Sequence, residues 1–204
     1  ARACCEMADV AIIASGGANI ASLRFALDRL GASSQLTTDV DELRRAPRVI
    51  LPGVGAAADA MSRLRSLGLT SVIPTLTQPV LGICLGLQLL FESSEEGDTE
   101  CLGIFPARVT RFPDRQGFPV PHMGWNQLVP QPGSPLARGL GDDAYLYFVH
   151  SYAAPVGPWT DGVTDYGGAF SALVRHANFH GAQFHPERSS RAGQRLLANF
   201  LALA

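Results

Sequence analysis

The 204-residue sequence contains no lysine, and all sixteen of its basic residues are arginines. The absence of lysine excludes a Schiff-base mechanism and a lysine-dependent phosphate loop. Charged residues are also few, at 17%, and the net charge is −2 with the arginines scattered along the chain. Nothing in this pattern suggests a nucleic acid or an anionic membrane as a partner.

Long apolar runs are missing as well. The longest, Pro79 to Phe91, is shorter than the roughly 20 residues that span a bilayer, and it contains Gly82, Gly86 and Gln88. The chain has only four cysteines, which show neither metal-ligand spacing nor a disulfide framework. We therefore predict no metal or other cofactor and expect a reduced, cytoplasmic protein.

Two of the cysteines, Cys4 and Cys5, fall in an unusual segment ahead of Met7. We interpret residues 1–8 as a leader or tag. Residues 9–204 show no internal repeat, low-complexity segment or linker, so we expect them to form a single domain.

In the first half of the chain, the order strand, turn, helix occurs three times. The apolar strand candidates are Val10–Ala14, Arg48–Leu51 and Pro79–Ile83, and the helical patterns that follow them are Ala18–Leu30, Ala56–Leu67 and Leu85–Glu92. The first two turns contain Gly16-Gly17 and Pro52-Gly53-Val54-Gly55. This order is typical of an α/β fold in which a mostly parallel central sheet carries helices on both faces.

The second half changes character. Strand-like segments separated by Gly, Pro and Asp turns lie at Cys101–Arg111, Asn126–Val129, Tyr145–Tyr152, Gly168–Arg175 and Phe179–Phe184. A helical pattern over Arg188–Leu203 ends the chain. We predict an antiparallel β portion in this half.

Cys84 stands where an apolar strand meets a helix, in Gly82-Ile83-Cys84-Leu85-Gly86. This is the nucleophile-elbow pattern with Cys in place of Ser. The start of a helix favours the thiolate, and the backbone N–H of Leu85 can receive an oxyanion. The alternative is a buried structural cysteine between glycines that allow helix and sheet to pack, and the pentapeptide alone does not decide.

His185 and Glu187 flank Pro186 at the end of a strand-like run. Proline favours an extended conformation for the residue before it, and in an extended segment residues i and i+2 point the same way. The carboxylate can then approach the imidazole and orient it as a base for Cys84. The alternative is a histidine at a strand end beside a solvated glutamate.

Taken together, the Cys84 pentapeptide with Gln88, His185-Pro186-Glu187, and the Pro52–Gly55 turn resemble the class I (triad) glutamine amidotransferases, whose fold is flavodoxin-like. Two further segments, Pro121-His122-Met123-Gly124-Trp125-Asn126 and Tyr147-Phe148-Val149-His150-Ser151-Tyr152, are similar to the glutaminase subunits of imidazole glycerol phosphate synthase, the HisH family. The resemblance runs from about Asp9 to the C-terminus.

The resemblance implies a glutaminase of histidine biosynthesis that passes ammonia to a (β/α)₈-barrel cyclase subunit, HisF, in a heterodimer. The cyclase makes imidazole glycerol phosphate and an aminoimidazole carboxamide ribotide from PRFAR. The implied triad is Cys84 as nucleophile, His185 as acid and base, and Glu187 as its orienter.

The resemblance also implies roles for residues outside the triad. The oxyanion hole would involve Gly55 and Leu85. The glutamine would be held by Gln88, Ser151 and Tyr152. The face toward the cyclase would include Trp125, Asn126 and Tyr147. Each of these residues also has an ordinary alternative, such as a core aromatic for Trp125.

Apart from the leader before Met7, which has no counterpart in the family, the sequence departs from the family at two places. Ala14-Ser15-Gly16-Gly17 stands where the family often has an Asp-containing turn, which puts a polar role of that turn in doubt. Arg188 replaces a lysine often found after the glutamate, which keeps the charge.

Three other interpretations stay open at this point. The chain could be the glutaminase of a different synthase, such as anthranilate or aminodeoxychorismate synthase. It could be a cysteine peptidase or cysteine hydrolase on a similar sheet. It could also be a non-catalytic scaffold with a decayed site, although all three triad positions are filled.

Overall fold

The computed structural model describes residues 8–15, 20–141 and 143–204. The helices are α1 (Ile20–Asp28), α2 (Val40–Arg45), α3 (Ala57–Ser66), α4 (Leu85–Leu89) and α5 (Ser190–Leu201). Short 3₁₀ turns lie at Ile73–Thr75, Glu96–Asp98 and Pro186–Arg188.

The strands of the first half are β1 (Val10–Ile13), β2 (Ser34–Thr37), β3 (Val49–Gly53), β4 (Val80–Cys84), β5 (Phe91–Ser94) and β6 (Thr99–Glu100). Those of the second half are β7 (Phe105–Arg111), β8 (His122–Gln127), β9 (Val129–Pro130), β10 (Tyr145–His150), β11 (Tyr152–Ala153), β12 (Thr160–Asp165), β13 (Ala169–His176) and β14 (Phe179–Ala182).

An eight-stranded sheet in the order β2-β1-β3-β4-β14-β13-β12-β9 forms the centre of the molecule. The first five strands in this order are parallel, and the last three continue the sheet in antiparallel fashion. A separate ribbon pairs β10 with β8, and a four-stranded sheet has the order β11-β7-β5-β6. The predicted α/β fold with a parallel core and an antiparallel second half is therefore confirmed.

Both faces of the central sheet are buried, as the continuous apolar strands require. Along β1, Val10 and Ile12 face one core cluster while Ala11 and Ile13 face the other. Leucines of α1 and α5 complete the first cluster, and apolar side chains of α2, α3 and α4 complete the second. Within the described residues, no helix is both long and apolar enough to cross a membrane.

The three predicted strand–helix units are present, but several boundaries were wrong. The strand predicted over Asn126–Val129 begins already at His122 and is interrupted at Leu128, which separates β8 from β9. The helix after Cys84 ends at Leu89 instead of Glu92, because Phe91 already belongs to β5. The strand predicted over Cys101–Arg111 begins only at Phe105, since the preceding residues form a turn in which Gly103 has a φ of +69°. Residues 1–7 of the leader predicted over residues 1–8, and the Gly16-Gly17 turn, lie outside the described residues.

Five elements were not predicted at all, namely α2, β2, β12 and the short strands β5 and β6 that follow α4. Strand β2 lies at the sheet edge with mostly exposed side chains, so it lacks the apolar run of a buried strand. Helix α2 is short, with only Leu43 buried. In β12, the sequence Thr-Asp-Gly-Val-Thr-Asp resembles a turn, yet Asp161 is buried there and accepts a hydrogen bond of 2.7 Å from the Ser134 hydroxyl.

The fold brings the carboxyl ends of β3, β4 and β14 side by side. Gly53 of β3 is paired with Cys84 of β4, and Ala182 of β14 is paired with Ile83. The residues that follow these strands therefore meet at one edge of the sheet, where open α/β sheets place their ligands.

Candidate active site

Cys84 occupies the sharp turn between β4 and α4, with a φ of +53° and a ψ of −112°. A positive φ is strained for any residue with a Cβ and is often found where a fold presents a functional side chain. The side chain is largely buried, with 7% of the residue exposed, and it lines a cavity. The strand–turn–helix context predicted for the elbow is thus present.

The glycines around Cys84 are needed because backbone segments approach closely there. A Cβ on Gly86 would lie 1.8 Å from the carbonyl oxygen of Leu51 in β3, and one on Gly82 would lie 2.7 Å from that of Gly86. A Cβ on Gly53 would lie 2.7 Å from the Gly86 nitrogen. Helix α4 can therefore sit against β3 and β4 only with glycine at these positions.

Gly86→Ala is expected to lower the free energy of unfolding by about 3 kcal/mol or more, because the obstructing Leu51 carbonyl belongs to a central strand and cannot move away. This corresponds to a fall in Tm of roughly 6–12 °C for a chain of this size, measured by calorimetry. Gly68→Ala is the matched control, since that site has a φ of +68° but nothing within 4 Å. It should cost only about 1 kcal/mol, and equal losses in the two variants would contradict the close-approach argument.

Helix α4 has only five residues, which corrects one argument from the sequence. A helix dipole weakens with so few aligned peptides, so it is a minor source of stabilisation for a Cys84 thiolate. Two polar groups lie at the sulfur, of which only Gln183 can donate to a thiolate, whereas the Val149 carbonyl can accept only from the thiol form. The Gln183 amide Nε2 donates to it at 3.9 Å, and the Val149 carbonyl lies at the same distance.

His185 and Glu187 are in direct contact. The Nδ1 atom of His185 lies 2.9 Å from Oε1 of Glu187, and both side chains are almost completely buried. His185 itself is extended, with a φ of −98° and a ψ of 97°, as the following proline predicted. The residues after it form a 3₁₀ turn that begins at Pro186, so the extended geometry assumed through Glu187 was wrong, although the predicted pairing is present. Since Nδ1 is held by Glu187, Nε2 is the nitrogen left for exchange with Cys84.

The backbone of His185 is held as well. Its N–H donates to the Tyr147 carbonyl at 2.9 Å. The Ser189 hydroxyl donates to the His185 carbonyl at 2.6 Å and accepts from the Tyr147 N–H at 2.9 Å. The imidazole is therefore fixed relative to β10, which forms one wall of the cavity.

The electrostatics of His185 favour its charged form. Burial by itself lowers its pKa, but the Cys84 sulfur and the Glu187 carboxylate outweigh burial and raise the pKa of His185 to about 10. Glu187 has no other ion-pair partner among the described residues, and its second oxygen, Oε2, is buried without a hydrogen bond there. The imidazolium is thus the counter-charge of this carboxylate.

The cavity beside Cys84 has a volume of about 380 Å³, enough for a small amino acid. Six residues predicted from the sequence line it besides Cys84, namely Gly55, Leu85, Gln88, Ser151, Tyr152 and His185. Glu187 stands behind His185, outside this wall. Trp125, Asn126 and Tyr147 do not line the cavity.

Trp125 and Tyr147 are paired across β8 and β10, and their rings meet edge to face with centroids 5.9 Å apart. Both lie on the outer side of the ribbon, where Met123, Trp125 and Tyr145 are more than half exposed. Asn126 differs, because its side-chain amide donates inward to the Asp165 carbonyl at 2.8 Å.

Two neighbouring groups fix the orientation of the Gln88 side-chain amide. Its Nε2 donates to the Tyr152 carbonyl at 2.8 Å and to Oε1 of Gln183 at 3.0 Å. Both N–H groups are then used, which leaves the carbonyl oxygen of Gln88 as the group available to a ligand.

Sequence reasoning missed three residues of this site. Glu96 lines the cavity and accepts a hydrogen bond of 2.8 Å from the Ala57 N–H, but it stands in an acidic turn without a motif. Gln183 is completely buried next to the Cys84 sulfur, and its position after β14 was the one available signal. Ser15 donates to the Pro52 carbonyl at 3.1 Å, which gives the turn after β1 a polar contact with the Pro52–Gly55 segment.

No group of three or more His, Cys, Asp or Glu side chains in the described parts of the chain is placed to hold a metal ion. The charged groups that do line the cavity are Glu96, Arg188 and His185. Arg188 also lies over the Tyr147 ring, with its guanidinium carbon 5.0 Å from the ring centroid.

Comparison with known proteins agrees with this geometry. The family model of class-I glutamine amidotransferases matches residues 13–204. The chain is 54% identical to the imidazole glycerol phosphate synthase subunit HisH of Xanthomonas axonopodis pv. citri (strain 306), over 97% of this chain and 99% of that protein. It is 51% identical to the HisH subunit of Xylella fastidiosa (strain Temecula1), over 97% and 98%.

Solved structures share the fold at lower identity. A glutamine amidotransferase superposes with a TM-score of 0.72 at 22% identity, covering 95% of this chain and 97% of that one. A glutamine amidotransferase from Thermotoga maritima superposes with a TM-score of 0.65 at 18% identity, covering 93% and 80%.

Proposed function

The chain belongs to the class I glutamine amidotransferases, and within them to the HisH subunits of imidazole glycerol phosphate synthase, and on this basis we propose that Cys84, His185 and Glu187 hydrolyse glutamine in the cavity beside Cys84. The protein is a glutamine-hydrolysing enzyme of histidine biosynthesis. The observation that carries the residue assignment is the buried His185–Glu187 pair of 2.9 Å, whose free ring nitrogen serves Cys84 at the cavity wall.

The proposed reaction begins with attack of the Cys84 thiolate on the carboxamide carbon of glutamine. His185, protonated at Nε2, gives its proton to the departing nitrogen, so that ammonia leaves and a glutamyl thioester remains. His185 then takes a proton from water as the water attacks the thioester. Glutamate leaves and the Cys84 thiolate is restored.

The negative oxygen of the tetrahedral intermediate needs backbone donors. The Leu85 N–H follows the nucleophile directly, and Gly55 lines the same cavity with a φ of +91°. We place the oxyanion between these two segments, which matches the usual position of such donors next to a nucleophile elbow. The Ser15 hydroxyl bound to the Pro52 carbonyl helps to hold the second segment.

The charges of the cavity fit a free amino acid. Glu96 can pair with the α-ammonium group of glutamine and Arg188 with its α-carboxylate. The carbonyl oxygen of Gln88 can accept a hydrogen bond from the substrate carboxamide. Glutamate has no N–H₂ to donate there, so this acceptor favours glutamine over its product.

We place the cyclase subunit, HisF, on the outer face of the β8–β10 ribbon. Trp125 and Met123 are exposed there, and Tyr147 lies beside them, which makes an apolar surface of the kind that protein interfaces cover. Val149 of the same ribbon lines the glutamine cavity. Ammonia released at Cys84 is therefore formed next to the face assigned to its consumer.

Membership of this family sets aside two alternatives that the sequence left open, namely a peptidase and the glutaminase of another synthase. The two relatives described above, which cover nearly the whole chain at 54% and 51% identity, are HisH subunits. The third alternative, a non-catalytic scaffold, is tested by measuring the turnover of glutamine.

The test of the proposed function is ammonia release from glutamine, measured with and without the cyclase and its bound ligand. We expect weak release by the chain alone and strong stimulation in the liganded complex. The reason is that the glycines of the Pro52–Gly55 segment allow its peptides more than one orientation, so the partner can select the one that completes the oxyanion hole. Equal rates with and without the cyclase would refute the idea that the partner activates the glutaminase. No ammonia release in either state would refute the glutaminase assignment itself.

A further inference from the structure

Two buried histidines, His122 and His150, have no part in the proposed chemistry. They are register partners across the β8–β10 ribbon, and their rings are joined by a contact of 3.1 Å between Nδ1 of His122 and Nε2 of His150. His150 lines the glutamine cavity, whereas His122 lies behind it. Each is less than 7% exposed, so their polar atoms must be satisfied within the protein.

The hydrogen bonds of this pair can have only one direction. Nδ1 of His150 lies 2.8 Å from the Tyr152 carbonyl, which can only accept, so this nitrogen carries the proton. In a neutral ring Nε2 of His150 is then an acceptor, and Nδ1 of His122 must donate to it. Nε2 of His122 is left as an acceptor, and the Asn126 amide donates to it at 3.3 Å.

Both rings are neutral at physiological pH. Burial lowers the pKa of His122 to about 4 and that of His150 to about 3. His122 is also held in place by stacking, with the Tyr166 ring 3.9 Å away on one side and the Phe148 ring at 4.9 Å. The tautomers are therefore fixed, and each ring has the Nδ1–H form.

The hydrogen bonds just described run from Asn126 through the two histidines to the Tyr152 carbonyl, which lies at the substrate site. The Tyr152 carbonyl accepts from His150 and also from Gln88, and Gln88 in turn donates to Gln183 beside the Cys84 sulfur. At the outer end of these bonds, Asn126 stands next to Trp125, on the strand that we assign to the partner face. The bonds thus connect that strand with the wall of the cavity.

We propose that His122 and His150 are positioning residues of the glutaminase reaction, which hold the Tyr152 carbonyl, and through it Gln88, in the place where glutamine binds. The inference rests on the proposed function, because it assigns a role at the same site. The alternative is that the two histidines only fill the core. A positioning role requires the Nδ1–H group of His150 to donate to the Tyr152 carbonyl, whereas core filling depends only on the size of the side chain.

The tautomers can be observed without any substitution. We would label the histidines of this chain with ¹⁵N and record long-range ¹H–¹⁵N spectra of its complex with the unlabelled cyclase. Both His122 and His150 are expected to show a protonated Nδ1 and a bare Nε2 between pH 6 and 8. A protonated Nε2 on either ring would overturn the proposal, because the bonds could not then run to the Tyr152 carbonyl.

Two substitutions of His150 separate positioning from core filling. The amide nitrogen of asparagine reaches the position of Nδ1 and can still donate to the Tyr152 carbonyl, whereas the glutamine amide reaches the position of Nε2 and cannot. H150Q is expected to raise the KM for glutamine by about tenfold, the loss of one well-placed hydrogen bond. H150N should recover most of that loss, although asparagine is smaller than glutamine and fills less of the space of the ring.

The matched control is His180→Asn. His180 is equally buried, on β14, and burial lowers its pKa to about 4, but none of the hydrogen bonds above involves it. This variant should keep the KM for glutamine while losing a similar amount of stability. Synthesis driven by added ammonium salt shows that each variant is folded and bound to the cyclase.

The outcomes distinguish failure of the positioning role from failure of the glutaminase assignment. Equal rises of KM in H150Q and H150N, or an equal rise in the His180 control, would overturn the positioning role and leave the glutaminase assignment intact. Failure of the wild-type complex to release ammonia would overturn both. A rise in H150Q that H150N reverses supports the role of His150 at the Tyr152 carbonyl.

Discussion

Cys84→Ala is expected to abolish glutamine-driven synthesis by the complex, with a loss of at least about 1,000-fold in rate, while synthesis from added ammonium salt continues. The sulfur is the one nucleophile at the elbow, and no other side chain of the described residues lies at the same turn to replace it. The cyclase reaction itself needs only ammonia, which the salt provides. The two activities should be measured on the same preparation by following product formation.

The matched control is Cys101→Ala, since Cys84 and Cys101 are the free cysteines of the described residues. Burial raises the pKa of the Cys101 thiol to about 11, so it remains protonated and unreactive at neutral pH. This variant should keep glutamine-driven synthesis. Retained glutamine turnover in Cys84→Ala would refute the nucleophile assignment, and loss of the ammonium-driven reaction would point to a damaged interface instead.

A second readout follows from the same residue. An alkylating reagent should modify Cys84 faster than Cys101, and glutamine should protect Cys84 because it occupies the same cavity. This distinguishes an active site from a scaffold whose triad is present but unused.

The elbow and the histidine–glutamate pair were predictable because their signals are local. An apolar strand, a glycine on each side of Cys84, and a proline between His185 and Glu187 all lie within a few residues of the atoms they place. Apolar periodicity likewise predicted the parallel core, since buried strands are continuous apolar runs.

The remaining contacts of the site depend on pairings that are distant in sequence. Gln88 meets the Tyr152 carbonyl across 64 residues and Gln183 across 95, and no local pattern encodes either register. Glu96 reaches the cavity only because α4 is short and β5 follows it at once. The order of strands is thus what turns separate motifs into one site, and it is the part that a single sequence does not show.

The dependence on distant pairings also explains why the sequence does not predict a joint role for His122 and His150. Each taken alone is most simply a hydrogen-bonded strand histidine. Only the register of β8 with β10 pairs the two rings, and only the break at Ser151 between β10 and β11 brings the Tyr152 carbonyl to His150.

Glu187→Gln is expected to lower kcat for ammonia release by roughly 100-fold or more. The glutamine oxygen can still accept from Nδ1–H of His185, so the ring keeps its place, but the negative charge that stabilises the imidazolium is gone. The loss should fall on kcat more than on the KM for glutamine, because Glu187 does not line the cavity beside Cys84. Glu92→Gln, at an exposed position of β5, is the control and should change neither parameter.

The same substitution should lower the pKa of His185, since Glu187 is one of the two groups that raise it to about 10. A ¹⁵N titration of the labelled histidine measures this directly. Because the folded-state pKa lies above the ordinary value of 6.5, the stability that His185 contributes is complete below about pH 6.5 and is lost as pH rises through about 10. In the variant the loss should still begin near pH 6.5, but it should be smaller and complete at a lower pH.

Urea unfolding of wild type and Glu187→Gln at a series of pH values between 6 and 10 therefore gives a second, independent measurement. The slope of unfolding free energy against pH is the informative quantity, because removing a buried carboxylate also changes the absolute stability. A shallower fall of stability between pH 7 and 9 in the variant means that Glu187 holds the proton on His185. Parallel curves together with an unchanged kcat would show that the pair contributes to packing and that the proton transferred to ammonia is controlled elsewhere.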